Sequence, residues 1–141
     1  MNPIPAHIQR FILANHVVGL ATLLDGEPWA ASCFYAFDQV NPSLIILSDE
    51  ATKHGAAMLA HPRVAGTIAG QPSLIPQIKG VQLIATVHCL ADGSDAEAYA
   101  LYCQRHPIAR LKRSRVWRLQ LQELKLTDNS FLIGQKTHWS R

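Results

Sequence analysis

The residues with the most chemistry to offer lie in one short run, Leu44 to His54, which reads LIILSDEATKH. An apolar strand there hands a hydroxyl residue directly to the start of a helix. Unpaired N–H groups at such a start, the hydroxyls of Ser48 and Thr52 and the ammonium of Lys53 could converge on an anion such as a phosphate. An ordinary helix start uses the same residue types, with Ser48 as the cap and Asp49 and Glu50 in the positively polarised first turn. Those two carboxylates repel a phosphate unless they point away. On this run alone both readings stay open.

Seven histidines and three cysteines raise the question of a metal. His54 and His61 lie two helical turns apart, and Cys103 and His106 share a helix face. Neither pair has two further ligands at short spacing, so no metal site is expected. Cys33 sits on an apolar strand with no identifiable base, so burial accounts for it and covalent catalysis is not expected. Basic residues gather at Arg105, Arg110, Lys112, Arg113, Arg115 and Arg118. They read as a solvated loop and strand face; an anionic partner is the sharper alternative, with nucleic acid ranked last because no recognition motif accompanies the cluster.

The elements that position these residues follow from hydrophobic spacing. Ile4, Ile8, Phe11 and Ile12 recur at helical intervals after two prolines, predicting a short helix that ends near Asn15. Val17 to Leu24 and the apolar run beginning at Glu27 flank Asp25-Gly26, a two-residue hairpin signal. The second strand, Trp29 to Phe37, is apolar on both faces, so burial on both sides is expected, by a barrel wall or a dimer seam. Leu44 to Leu47 forms a third strand, and the helix after it stops at His61-Pro62. Val64 to Ala69 is a fourth strand. Gly80 to Leu90 is a fifth, with Val81, Leu83, Ala85, Val87 and Cys89 on one face and Gln82, Thr86 and His88 on the other.

Ser94 to His106 is predicted helical, with Pro107 as the breaker. Trp117, Leu119 and Leu121 alternate with polar residues, and Leu124 and Leu126 then switch phase as a bulge requires. A last strand is expected at Phe131 to Ile133. The result is an α+β, mainly β, antiparallel split β-barrel of six or seven strands with about three connecting helices.

A chain of 141 residues supports one domain, spanning 1–141. With 48% hydrophobic and only 16% charged residues, its surface is sparsely charged, which points to a covered face and hence to a second subunit. An odd cysteine count without CxxC spacing fits a reducing, cytoplasmic setting. The apolar runs are far shorter than the ~20 residues of a spanning helix, so no membrane partner is expected.

Several strings together cover nearly the whole chain: NHVVGLATLLDGEPWAASCFYAF, LIILSDEATKHGAAMLAHPRVAGTIAGQP, IKGVQLIATV, RHPIAR and VWRLQLQELKLTDN. They resemble the YhbP-like group of the pyridoxamine 5′-phosphate oxidase-like FMN-binding split-barrel superfamily. The resemblance implies a homodimer with FMN in two grooves at the interface. The superfamily pattern is a strand ending in Thr or Ser, then Ser or Thr followed by Arg-Lys, which holds the FMN phosphate. Ser48 and Thr52 match its hydroxyls and Lys53 falls on the Arg. His54 stands at the Lys and carries full charge only if its pKa is raised.

The segment Ala31 to Phe34, with Ser32 and Cys33, resembles the backbone along the isoalloxazine edge, and Gln82 falls near a glutamine that reaches the cofactor. Trp117 or Trp139 could stack near the ring, with a core position the default for Trp117. The chain ends in GQKTHWSR without the Arg and His pattern that grips pyridoxal substrates, so that oxidation is not expected. The implied function is an FMN-binding homodimer, with a small flavin oxidoreductase as its enzymatic form. The alternative is a binding module of the same fold holding another planar or anionic ligand such as haem.

Overall fold

The computed structural model describes residues 2–129 and 135–141. Its elements are α1 (Ala6–Ala14), β1 (Val17–Leu24), β2 (Glu27–Phe34), β3 (Ala36–Asp38), β4 (Ser43–Leu47), α2 (Lys53–Ala60), β5 (Arg63–Ala69), β6 (Lys79–Cys89), α3 (Ala96–Arg105), β7 (Val116–Asp128) and β8 (Gln135–Ser140). Short 3₁₀ turns lie at Ile75–Gln77 and Pro107–Leu111. The strands form one antiparallel sheet in the order β2-β1-β5-β6-β7-β4-β3, with β8 added to β7. Its two end strands, β2 and β3, are joined in the chain by Tyr35 alone, so the sheet must curl until its edges meet, as a split barrel does.

The β1–β2 turn has Asp25 at φ 53° and Gly26 at φ 77°, the double left-handed geometry of a two-residue hairpin. The inner face is filled by Val18, Leu20, Ile46, Trp117, Leu119 and Leu121 among others, and α1 lays Ile8, Phe11 and Ile12 onto it. On the far side of β4, a smaller cluster joins Ile45 to Ala98 and Tyr102 of α3. Burial on both faces explains why β4 is apolar at every step from Leu44 to Ile46. The expected phase switch in β7 is a bulge. Ile84 pairs with Glu123 and Ala85 with Leu121, which leaves Gln122 as the extra residue and returns Leu124 and Leu126 to the core.

Two expectations need correction. Eight strands are present among the described residues, because Trp29 to Phe37 breaks into β2 and β3 and because Gln135–Ser140 forms a strand. The break falls at Tyr35, whose N–H donates to the His16 carbonyl at 2.9 Å and whose buried hydroxyl donates to the Ile12 carbonyl at 2.6 Å. The strand expected at Phe131 to Ile133 lies outside the described residues. Finally, β2 is not buried on both faces within one chain: Trp29 is 45% and Phe34 53% exposed. On its outward side Phe34 is partly covered by the rings of His16 at 5.9 Å and His106 at 5.4 Å.

Candidate functional site

Strand β4 delivers Ser48 to the top of α2 with its backbone fixed at both ends. Its N–H donates to the Arg115 carbonyl at 3.0 Å, and its carbonyl accepts from the buried indole of Trp117 at 2.8 Å. The helix cap is Thr52 rather than Ser48: the Thr52 hydroxyl accepts from the Gly55 N–H at 3.0 Å and donates to the Asp49 carbonyl at 2.8 Å. Asp49 and Glu50 therefore form a turn ahead of the helix instead of its first turn. Their carboxylates are turned to other partners, Asp49 accepting from the Ala51 N–H at 2.8 Å and Glu50 pairing with Arg115 at 3.0 Å. The turn is packed so tightly on α2 that a Cβ at Gly55 would lie 2.5 Å from the Asp49 carbonyl oxygen.

Two basic side chains follow the cap. Lys53 is exposed, and its ammonium stands 4.0 Å from the centroid of the Trp29 ring on β2, a cation–π contact. His54 turns inward: its Nε2 is 2.5 Å from Ser48 Oγ and 3.4 Å from Thr52 Oγ1. Burial pushes its pKa below the usual histidine range. Near neutral pH His54 is thus an uncharged hydrogen-bonding group, and Lys53 is the cation of this junction. The first N–H groups of α2, those of Lys53 and His54, have no intrahelical partner by the geometry of any helix start.

The sequence-predicted residues fall into separate groups. Ser48, Thr52 and His54 converge at the β4–α2 junction, while the Lys53 ammonium, next to the cap in the chain, stands over the Trp29 ring. Cys33 pairs with Val18 on the inward face of β2 and packs against the core, where burial pushes its thiol up, away from nucleophile behaviour. Ser32 is exposed and pairs with Gly19, on the outward face. Gln82 is also outward, between Thr67 of β5 and Lys125 of β7. It lines a groove of about 560 Å³ that crosses β2, β1, β5, β6 and β7 over the small residues Gly19, Ala21, Ala30 and Ala65.

Within one chain, then, the anion-type junction and the groove are distinct. Neither tryptophan proposed as a stacking residue is available. Trp117 is fully buried, and Trp139 is 4% exposed with its indole donating to the Asn2 carbonyl at 2.9 Å. The tryptophan beside the site is Trp29, which sequence reasoning treated only as a strand residue. Among the described residues no three His, Cys, Asp or Glu side chains cluster as metal ligands, and no helix is long and apolar enough to cross a membrane.

No family model matches the chain. It is 44% identical over 144 residues to a UPF0306 protein of Haemophilus ducreyi, covering 100% of this chain and 98% of that protein. A UPF0306 protein of Yersinia pseudotuberculosis is 38% identical over 134 residues, covering 95% and 91%. The chain belongs to the UPF0306 family. Among solved structures, a haem-binding protein of Mycobacterium smegmatis superposes with a TM-score of 0.78 at 19% identity, over 99% of the UPF0306 chain, which spans 60% of that protein. HutZ, the haem storage protein of Vibrio cholerae, gives 0.71 at 17% identity over 87% of this chain and 94% of its own. A FAD-binding protein of Mesorhizobium loti gives 0.71 at 19% over the same shares, 87% and 94%. These likenesses fix the fold as a split barrel.

Proposed function

We propose that this UPF0306 protein is a homodimer that holds FMN, its phosphate taken at the β4–α2 junction. The observation that carries the reading is the meeting of Ser48 and His54 beside the open first turn of α2, with Lys53 next in the chain to its cap and the nearby carboxylates of Asp49 and Glu50 turned to other partners. The residues fit one phosphate: helix N–H groups and a hydroxyl to donate, one full cation to neutralise, and a neutral His54 to orient Ser48. The half-exposed apolar side chains on the outer side of the β1–β2 hairpin support the dimer, Leu23 at 48% and Phe34 at 53%. Flavin, when bound, supplies electron-transfer chemistry, and the chain's own groups bind and orient it.

The test is a titration with FMN and with riboflavin, run beside light scattering. The expected result is tighter binding of FMN than of riboflavin and a mass twice the 15.6 kDa of one chain. A monomer that ignores added FMN would refute the reading.

Haem is the second reading. It is favoured by the haem-binding and haem-storage proteins among the structural relatives and by His54, whose uncharged imidazole is the metal-binding form. A Soret band on adding haemin, lost in His54→Ala, would select it over FMN.

A further inference from the structure

The basic cluster seen in the sequence resolves into two unlike halves. Arg113, Arg115 and Arg118 are committed to carboxylates of the same chain: Asp95 at 2.7 Å, Glu50 at 3.0 Å with Asp92 at 3.5 Å, and Asp38 at 2.8 Å, respectively. Among the ion pairs of the described residues, none involves Arg105, Arg110 or Lys112. Arg105 donates to the Leu13 carbonyl at 3.3 Å.

Arg105 and Lys112 flank the 3₁₀ turn Pro107–Leu111 and Arg110 lies within it; the turn presents Ile108 at 78% and Leu111 at 84% exposure. Residues three apart on a 3₁₀ helix stand in line on one side, so the two aliphatic side chains project together. The turn beneath them is anchored. The Ala109 carbonyl accepts from the Tyr99 hydroxyl at 3.4 Å, Ala109 packs against the α3 cluster, and the Arg113 guanidinium lies 4.0 Å over the Tyr99 ring. Asp49, which shares a groove wall with Lys112, is turned onto the Ala51 N–H.

Single exposed aliphatics are ordinary, but a fixed pair close in the chain to cations that pair with no carboxylate among the described residues is the composition that meets an apolar phase behind an anionic layer. A protruding turn also needs no complementary pocket in a soft, deformable surface. We propose that the Pro107–Leu111 turn docks on an anionic lipid surface, with Ile108 and Leu111 entering the headgroup boundary and Arg105, Arg110 and Lys112 against its phosphates. Short apolar runs exclude a spanning helix and not this kind of contact.

The experiment is co-sedimentation of the full chain with vesicles of phosphatidylcholine alone and of equal parts phosphatidylcholine and phosphatidylglycerol. Binding is expected only to the second, weakening with salt. Each basic residue near such a surface contributes about 1 kcal/mol, or roughly five-fold, so Arg110→Gln with Lys112→Gln should lower partitioning about twenty-five-fold. Ile108→Ser with Leu111→Ser should lower it at least about ten-fold, since two aliphatic side chains no longer leave water. All four side chains are exposed, so thermal melting should be unchanged, and so should flavin affinity, which separates this test from that of the flavin site.

A wild-type chain that ignores anionic vesicles would overturn the proposal. Equal binding by the serine pair would overturn it too, by reducing the contact to non-specific charge. A serine pair whose solution mass falls would place the turn between two copies of the chain and likewise end it.

Discussion

Replacing Lys53 by alanine tests the phosphate assignment most directly, and the structure sets how large the effect should be. A charge-assisted hydrogen bond to phosphate contributes about 1.5–3 kcal/mol. Lys53 is not idle in the free chain, however: its ammonium stands 4.0 Å from the Trp29 ring centroid, and an exposed cation–π contact is worth about 0.5–1 kcal/mol. Binding a phosphate exchanges one for the other, leaving a net gain of roughly 0.5–2.5 kcal/mol. Lys53→Ala should therefore weaken FMN by about two-fold to seventy-fold. Riboflavin has no phosphate and should hardly change. Fluorescence-quenching titrations of both ligands against both proteins give the four constants. Equal losses for FMN and riboflavin, or none for either, would refute the reasoning by placing the phosphate elsewhere.

Gly55→Ala should destabilise the fold by about 1–3 kcal/mol in urea unfolding, because its Cβ would lie 2.5 Å from the Asp49 carbonyl oxygen and the turn ahead of α2 must move. His54 has its pKa lowered by burial from 6.5, so the unfolded chain takes up the proton first; its contribution to stability is full above about pH 6.5 and is lost as pH falls towards the lower folded value. The urea midpoint of the wild type should accordingly drop below about pH 6.5 more steeply than that of His54→Asn. Phe34→Ser, at a side chain 53% exposed, should shift light scattering towards the monomer, at a cost in single-chain stability of about 0.5–1.5 kcal/mol for the lost ring contacts with His16 and His106.

Where burial alternates along the chain, the fold was legible in the sequence. The inward series Val81, Leu83, Ala85 and Val87 of β6 and the phase switch after Leu121 are both where hydrophobic period places them. The break at Tyr35 was not legible, since Phe34, Tyr35 and Ala36 continue an apolar run and the break depends on hydrogen bonds to the distant His16 and Ile12 carbonyls. Strand β8 was missed for the opposite reason: along Gln135–Ser140 only Trp139 is buried, so pairing with β7 defines it rather than pattern.

At the site, residue types were legible and assignments were not. Ser48 and Thr52 are chemically equivalent as caps; what selects Thr52 is a glycine at position 55, which lets the Asp49–Glu50 turn close over the helix start. The Lys53–Trp29 contact joins a helix to a strand with no periodicity to announce it.

The structure also alters what the hydroxyl-hydroxyl-cation pattern means. The Thr52 hydroxyl is consumed by capping, and His54, though basic by type, is kept neutral by burial. Ser48 has its N–H and carbonyl both occupied, by the Arg115 carbonyl and the Trp117 indole, so its main chain cannot adapt to a ligand. Its hydroxyl can: with the His54 proton on Nε2, the 2.5 Å contact fixes the Ser48 oxygen and leaves its O–H to turn towards the space ahead of α2. The groups of this junction able to take a new partner are therefore the Ser48 hydroxyl, which keeps His54, and the Lys53 ammonium, which would leave the Trp29 ring. An anion that takes both needs no backbone movement, so the cost of rearranging the site on binding stays small.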